Sequence, residues 1–263
     1  MPGFHLPRII GHRGAAAYAP ENTLEGIREA AHRGARWVEV DAKLTRDGVV
    51  ILMHDDTVDR TTNGRGPVAG ATFRDIGLLD AGAWFGASWS GARVPRLADA
   101  LALLVELDMQ ANIEIKPCVG REIETAAAVA RVIDRCWPAD RPWPLLSSFR
   151  RDSLEASRAA APKFPRGLLI WEFIADWASV AAALECVSIH CADRHLTPQW
   201  ATEIRQAGYA LAVYTVNDPA RALELMDWGV QCVFTDRPDA ILNVAGDGPA
   251  GCGLSSPLGL YRP

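Results

Sequence analysis

The chain has 263 residues, of which 49% are hydrophobic and 22% charged, so it has enough apolar material for one large globular core. Its formal net charge of −5 argues against nonspecific nucleic-acid binding, which usually goes with a basic chain, but is compatible with an anionic substrate. The six cysteines, at positions 118, 136, 186, 191, 232 and 252, show no zinc-binding spacing and predict reduced thiols.

The first residues do not combine a cationic start with an apolar run, and no segment is apolar over the length of a bilayer. Together with the reduced thiols, this predicts a cytoplasmic protein with no signal peptide and no stable membrane association.

Short β-branched or apolar runs alternate along the chain with amphipathic stretches, and this alternation predicts a parallel sheet, open or closed. The predicted strands cover residues 8–12, 37–43, 49–54, 111–115, 145–149, 167–171, 187–191, 210–216 and 232–235. The predicted helices cover residues 22–33, 97–107, 121–136, 152–160, 198–207 and 219–228.

Nine strands are one more than a (β/α)8 barrel contains. The connection between the second and third strands is too short for a crossover helix, and its Asp47-Gly48 pair is a hairpin signal. A two-residue turn there would place Asp41 opposite His54 and add the third strand as an antiparallel ribbon. The remaining eight strands predict a closed barrel.

Residues 57–96 interrupt the alternation of predicted strands and helices and are rich in glycine and aromatic residues. We expect them to form a small cap over the barrel mouth, where such folds place active sites, with a structural decoration as the alternative. Residues 1–245 are predicted to form one domain. Residues 246–263, rich in Gly, Ser and Pro, are predicted to be a flexible tail.

Glu39 and Asp41 are two residues apart on a predicted strand, so their side chains point to one side. If that side is buried, the carboxylates repel each other unless a cation lies between them; an exposed strand face is the alternative. Glu114 supplies a third carboxylate. Oxygen donors alone favour Mg²⁺, Ca²⁺ or Mn²⁺ over zinc.

His12 ends the first predicted strand and His54 ends the ribbon, so both lie beside the clustered carboxylates and form a candidate acid–base pair. Arg13 and Lys116 adjoin them and are candidates for binding phosphate, for pairing with the carboxylates, or for both. No nucleotide-binding glycine loop and no serine-hydrolase elbow occurs in the sequence.

Over roughly residues 8–238, these motifs resemble those of the glycerophosphodiester phosphodiesterase family of the bacterial, cytosolic type. The matching motifs are Gly-His-Arg-Gly at 11–14, Pro-Glu-Asn-Thr at 20–23, Glu-Val-Asp at 39–41, Thr-Arg-Asp-Gly at 45–48, His-Asp at 54–55, Asn-Ile-Glu-Ile-Lys-Pro at 112–117 and Phe-Thr-Asp-Arg-Pro at 234–238. The resemblance implies an α/β fold, a (β/α)8 TIM barrel with a small insertion after the second strand. It also implies metal-dependent hydrolysis of glycerophosphodiesters to glycerol 3-phosphate and an alcohol.

The resemblance further implies the roles of individual residues. The metal ligands would be Glu39, Asp41 and Glu114, the catalytic pair His12 and His54, and the phosphate-binding cations Arg13 and Lys116. Phe149 would line the glycerol end of the pocket. Tyr214 stands where the family often has tryptophan, which leaves the fine specificity of that wall open.

Several alternatives remain at this point. His12 is assigned as base and His54 as acid, although the reverse is compatible with the sequence, and the nucleophile is either a neighbouring glycerol hydroxyl or water. A related barrel phosphodiesterase acting on lysophospholipids is an alternative, with Trp84, Phe85 and Trp89 as an apolar groove. A non-catalytic phosphate- or metal-binding module is another. The expected partner is a small-molecule substrate, with no prediction of oligomeric state.

Overall fold

A computed structural model describes residues 4–246 of the chain. The strands are β1 Ile9–Gly11, β2 Trp37–Leu44, β3 Val50–Leu52, β4 Gln110–Ile115, β5 Leu145–Ser148, β6 Arg166–Ile170, β7 Ser188–Ala192, β8 Ala210–Tyr214 and β9 Cys232–Thr235. The helices are α1 Leu24–His32, α2 Phe73–Ile76, α3 Leu97–Glu106, α4 Glu122–Cys136, α5 Arg151–Ala160, α6 Trp177–Ala183, α7 Pro198–Gln206, α8 Pro219–Asp227 and α9 Pro238–Ala245. Residues 247–263, most of the predicted tail, lie outside the described residues.

Eight strands close into a parallel barrel. They are hydrogen-bonded in the order β1-β2-β4-β5-β6-β7-β8-β9, and β9 pairs with β1 to complete the ring. β3 pairs antiparallel with the C-terminal part of β2. The predicted (β/α)8 barrel with one antiparallel ribbon is therefore confirmed. No helix within residues 4–246 is long and apolar enough to cross a bilayer.

An apolar layer between the barrel and its ring of helices forms most of the core. α4 shows how the sequence builds it, since its buried residues Ala126, Val129, Ala130 and Ile133 recur at three- and four-residue spacing. Burying one large aliphatic side chain of this kind stabilises the fold by about 1.5–3 kcal/mol.

Three helices were not predicted from the sequence. α2 and α6 have only four and seven residues, too few for a helical period to stand out. α9 has eight residues and begins with Pro238, a residue favoured at the first helical position.

The hairpin between β2 and β3 is one residue out of the predicted register. Leu44 pairs with Val50, one residue earlier than expected. The backbone N–H of Met53, rather than of His54, faces Asp41 and donates to its carbonyl at 2.9 Å. The predicted register was wrong, and His54 lies beyond the end of β3.

Turn length is the cause of this difference. The N–H of Thr45 donates to the carbonyl of Val49 at 3.0 Å and encloses three residues, and the last of them, Gly48, has φ of +80°. Hairpins close with either two or three residues, and Asp-Gly suits both, so the dipeptide alone does not fix the register.

Residues 53–96, called the cap below, run from the end of β3 to the start of α3. They contain α2, two 3₁₀ turns and a small apolar cluster of their own around Val58, Val68 and Ile76. The cap is tied to the hairpin, because Asp47 accepts a hydrogen bond of 2.9 Å from the N–H of Phe73.

A tight turn after β1 sets the position of His12 and Arg13 at the barrel mouth. A Cβ on Gly11 would lie 2.3 Å from the carbonyl oxygen of Gly14, and a Cβ on Gly14 would lie 2.5 Å from the carbonyl carbon of Gly26. Only glycine permits this approach of the turn to α1, and Gly14 also has φ of +95°.

Replacing Gly14 with alanine should therefore destabilise the protein more than replacing Gly48. Both glycines have positive φ, which costs a residue with a Cβ about 1–2 kcal/mol. A Cβ at Gly48 meets no atom within 4 Å, whereas a Cβ at Gly14 meets the backbone of Gly26. Urea unfolding should show a loss of about 1 kcal/mol for Gly48→Ala and at least about 3 kcal/mol for Gly14→Ala. Equal losses would contradict the steric argument.

Candidate active site

All nine predicted site residues lie together at the C-terminal end of the barrel. A cavity of about 260 Å³, called the inner cavity, is lined by eight of them: His12, Arg13, Glu39, His54, Glu114, Lys116, Phe149 and Tyr214. Asp41 is the exception, because it lies beneath the cavity floor with 1% of its surface exposed. The strand ends thus assemble residues that are far apart in the sequence.

The three carboxylates form one buried cluster. Glu39 and Asp41 are two residues apart on β2, so their side chains point to the same face. Asp41 is paired in register with Glu114 on β4. Each offers an oxygen within 4.8 Å of the others. Burial, followed by the charges of its two neighbours, raises the pKa of Glu39 well above its usual value. Burial and the charge of Asp41 raise the pKa of Glu114 to about 7.

Asp41 differs because cations surround it. The Nζ of Lys116 is 3.4 Å from one carboxylate oxygen, and the Nε of Arg13 is 3.3 Å from the other. The amide of Asn22 also donates to Asp41 at 2.8 Å. Burial opposes ionisation, but these cations and this hydrogen bond outweigh it and hold the pKa of Asp41 well below its usual range.

Two buried oxygens of the inner cavity lack a hydrogen-bond partner. They are Oε1 of Glu39 and Oδ1 of Asn112. A buried acceptor without a partner costs about 1–3 kcal/mol, and a cation would satisfy both oxygens. Carboxylate and amide oxygens are the donors that Mg²⁺, Ca²⁺ and Mn²⁺ prefer. The residues present therefore fit a hard divalent cation.

His12 is held by a carboxylate from the last strand of the barrel. Its Nδ1 donates to Asp236 at 2.7 Å, which turns Nε2 toward Glu39 at 4.0 Å. The amide of Asn217 donates to the other oxygen of Asp236 at 2.6 Å. Within residues 4–246, no Lys or Arg forms an ion pair with Asp236, so its charge acts mainly on the imidazole.

His54 is held by a carboxylate whose charge is shared. Its Nδ1 donates to Asp55 at 2.7 Å. Arg60 in the cap donates to both oxygens of Asp55, at 2.7 and 3.0 Å. Burial, with the nearby charges of Arg13 and Lys116, lowers the pKa of His54. The two histidines therefore have like partners but unlike surroundings.

Glu21 links the cap to the phosphate-binding candidates. Arg60 donates two hydrogen bonds to Glu21, both at 2.8 Å, and Arg13 donates a third of the same length. Because Arg60 also holds Asp55, a continuous set of charged contacts runs from His54 to Arg13.

Aromatic side chains form the far wall of the inner cavity. Phe149 and Tyr214 meet edge to face, with ring centroids 5.8 Å apart, and the Tyr214 hydroxyl donates to the carbonyl of Ile170 at 2.9 Å. Trp171 and Phe234 complete this wall. It offers apolar surface to a small carbon skeleton bound beside the charged groups.

The cap aromatics lie away from both cavities. Trp84, Phe85 and Trp89 pack edge to face on one another, with centroids 5.6 and 6.4 Å apart. The indole N–H of Trp84 donates to the carbonyl of Ala81 at 2.9 Å, and 41% of the residue's surface stays exposed. None of the three lines the inner cavity or the larger cavity beside it, so an apolar groove on these residues would not open into either.

Sequence reasoning missed the residues that support the predicted ones. These are Glu21, Asn22, Arg60, Asn112, Asn217 and Asp236. Several had a usable signal, since Asp236 follows directly on a barrel strand, where catalytic side chains of this fold cluster. Arg60 stands in an Arg-Thr-Thr-Asn-Gly motif at 60–64 that also resembles the family, but the motif does not show that Arg60 joins Asp55 to Glu21.

Comparison with known proteins gives one consistent result. The sequence profile of the Glycerophosphoryl diester phosphodiesterase family matches residues 12–240. A protein named glycerophosphodiester phosphodiesterase from Caldanaerobacter subterraneus subsp. tengcongensis is 32% identical over 240 residues, which cover 91% of this chain and 98% of that protein. A protein of the same name from Bacillus subtilis is 32% identical over 251 residues, covering 88% and 83%.

Solved structures agree. An Oleispira antarctica phosphodiesterase, determined in complex with the product sn-glycerol-3-phosphate, superposes with a TM-score of 0.89 and 35% identity, covering 91% of this chain and 97% of that one. A glycerophosphodiester phosphodiesterase from Agrobacterium tumefaciens superposes with a TM-score of 0.74 and 32% identity, covering 91% and 100%.

With a chelator present, the protein should lose stability as the pH rises from about 4.5 through 7. The folded state raises the pKa of Glu114 from 4.5 to about 7, so folding favours its protonated form. That contribution is complete below the unfolded pKa and is lost as the pH passes the folded one, by up to roughly 3 kcal/mol. The pKa of Glu39 is also raised and adds to the slope in the same direction, so Glu114→Gln, which does not titrate, should reduce the slope in thermal unfolding without abolishing it. An unchanged slope would assign the pH dependence to other groups.

Proposed function

Because the chain belongs to the glycerophosphoryl diester phosphodiesterase family, we propose that its inner cavity hydrolyses glycerophosphodiesters to glycerol 3-phosphate and an alcohol. The observation that carries this proposal is the arrangement of two histidine–aspartate pairs around one buried carboxylate cluster in a single cavity. The product bound to the Oleispira antarctica enzyme supports the same product here.

Glu39, Asp41 and Glu114 would hold the divalent cation, which is Mg²⁺, Ca²⁺ or Mn²⁺ by the chemistry of its donors. Such a cation neutralises charge that grows on the phosphoryl oxygens during P–O cleavage. Arg13 and Lys116 line the same cavity and add positive charge for the remaining phosphoryl oxygens. Phe149 and Tyr214 would pack against the glycerol carbons.

The surroundings of the two histidines support different roles. Among residues 4–246, no cationic side chain other than the imidazole is bonded to Asp236, so its charge stabilises the imidazolium that forms when His12 takes a proton from the attacking hydroxyl. Asp55 shares its charge with Arg60, so it stabilises the imidazolium of His54 less. His12 then acts as base, and His54 gives its proton to the departing alcohol oxygen.

A cytoplasmic location belongs to the same proposal. It is supported by the five cysteines within residues 4–246, all of which are free thiols. The proposed partner is the small-molecule substrate, with no nucleic acid.

The proposal is tested by turnover of glycerophosphodiesters with and without metal. A chelator should abolish turnover and Mg²⁺, Mn²⁺ or Ca²⁺ should restore it. Glu39→Ala, Asp41→Ala and Glu114→Ala should each lose metal binding in calorimetry, a measurement that does not depend on activity. Glu106→Ala, an exposed carboxylate on α3, is the matched control and should bind metal normally. Full turnover by the metal-free protein would rule the metal out.

The two histidine roles separate when the leaving group is varied. His54→Ala should slow cleavage of a choline diester by about 10²–10⁴-fold, because an alkoxide needs a proton to leave. The same variant should slow a 4-nitrophenyl diester far less, since that anion leaves unprotonated. His12→Ala should slow both substrates. The reverse pattern would exchange the two roles.

Arg60→Met should show a weaker form of the His54→Ala pattern, since Arg60 positions His54 through Asp55. The informative quantity is the ratio of kcat for the nitrophenyl diester to kcat for the choline diester, which a purely structural loss would leave unchanged. Arg65→Met is the control. Arg65 is 85% exposed, and its ion pair with Asp59 has a long N···O distance of 3.7 Å.

A further inference from the structure

A second cavity, called the outer cavity, adjoins the inner cavity on the side of the cap and has a volume of about 480 Å³. Four residues line both cavities and form the boundary between them: His54, Glu114, Lys116 and Phe149. Beyond this boundary the outer cavity is lined by Lys43, Asp55, Asp56, Ser148 and Arg150, with Ile115 and Pro117. No group of the substrate has yet been assigned to this cavity.

The boundary determines which part of a diester reaches the outer cavity. His12 and Arg13 line only the inner cavity, whereas His54 and Lys116 line both. A phosphodiester bound between Arg13 and Lys116 would have room for one ester arm in each cavity. In-line displacement puts the leaving oxygen opposite the attacking one. The arm on the side of His54 is then the departing alcohol, and it extends into the outer cavity.

The wall of the outer cavity is charged, yet its charges are already paired. The Nζ of Lys43 is 2.6 Å from an oxygen of Asp56, and Arg150 is 3.1 Å from Glu122. Asp55 is held by the guanidinium and imidazole described above. Paired groups keep lone pairs and N–H bonds for hydroxyl groups, but they offer no net charge to an ionic ligand.

We infer that the outer cavity is the subsite for the departing alcohol and that it selects an uncharged, hydroxylated alcohol such as glycerol. This inference rests on the proposed function. A hydroxyl donates to Asp56 and accepts from Arg150 without breaking either ion pair. A trimethylammonium group donates no N–H or O–H hydrogen bond, and it gains no free carboxylate from Asp55 or Asp56, because both are already paired with cations. An acyl chain would strip water from charged groups without replacing their hydrogen bonds.

The test compares diesters of glycerol phosphate that differ only in the alcohol: glycerol, choline and methanol. The wild-type kcat/KM for the glycerol diester should exceed that for the choline diester about tenfold or more, the effect expected of a hydrogen bond to a charged group. Methanol is too short to reach the outer wall and serves as the internal reference. Comparable or higher kcat/KM for the choline diester would overturn the selectivity.

The location is tested with Arg150→Met and Asp56→Asn, two substitutions of side chains that are 56% and 61% exposed. Each should lower the ratio of kcat/KM for the glycerol diester to that for the methyl diester by about tenfold. Arg151→Met is the matched control, because Arg151 is 50% exposed, pairs with Asp176 and lies outside the cavity wall. A wild-type ratio in both test variants would overturn the subsite. If the wild type cleaved none of the three diesters, the proposed function itself would fail, a result distinct from loss of selectivity alone.

Discussion

Repulsion among three buried carboxylates is the constraint on which the site depends. Their oxygens lie within 4.8 Å of one another in a barrel interior, where charges interact far more strongly than in water. Asp41 stays ionised because Lys116 and Arg13 lie beside it, and the buried guanidinium of Arg13 in turn pairs with Glu21. Glu21 binds Arg60, and Arg60 binds Asp55. A continuous series of charge pairs therefore runs from the carboxylate cluster to Asp55 and His54 in the cap.

The same constraint bears on the binding of a cation. Burial, together with the charges of neighbouring carboxylates, raises the pKa values of Glu39 and Glu114, so these two carboxylates lack the compensation that keeps Asp41 ionised. A divalent cation held by the cluster would supply that charge, and its binding would stabilise the folded protein.

The sequence was sufficient for features governed by local period and motif, and insufficient for those governed by distant contacts. Alternating apolar runs predicted all nine strands, because each buried strand carries its own signal. The predicted hairpin register was wrong because Asp47-Gly48 suits both two-residue and three-residue turns, and the two turns pair different residues of β2 and β3. The pair of His12 with Asp236 spans 224 positions, and no local pattern connects the two. The role of Arg60 was missed for a similar reason, since it joins Asp55 in the cap to Glu21, which is 39 positions away in the sequence.

His12 and His54 differ because of the groups bonded to their aspartate partners, Asp236 and Asp55, rather than because of the histidines themselves. Asp236 is bonded to a neutral amide, which leaves its charge to favour a protonated His12. Asp55 is bonded to a guanidinium, which draws its charge away from His54. The cavities share this asymmetry, because His12 lines only the inner cavity and His54 lines both. The proposed mechanism, in which one histidine takes a proton and the other returns one, uses that difference. The cap would then contribute to the chemistry, since it supplies the guanidinium of Arg60 that makes two similar histidine–aspartate pairs unequal.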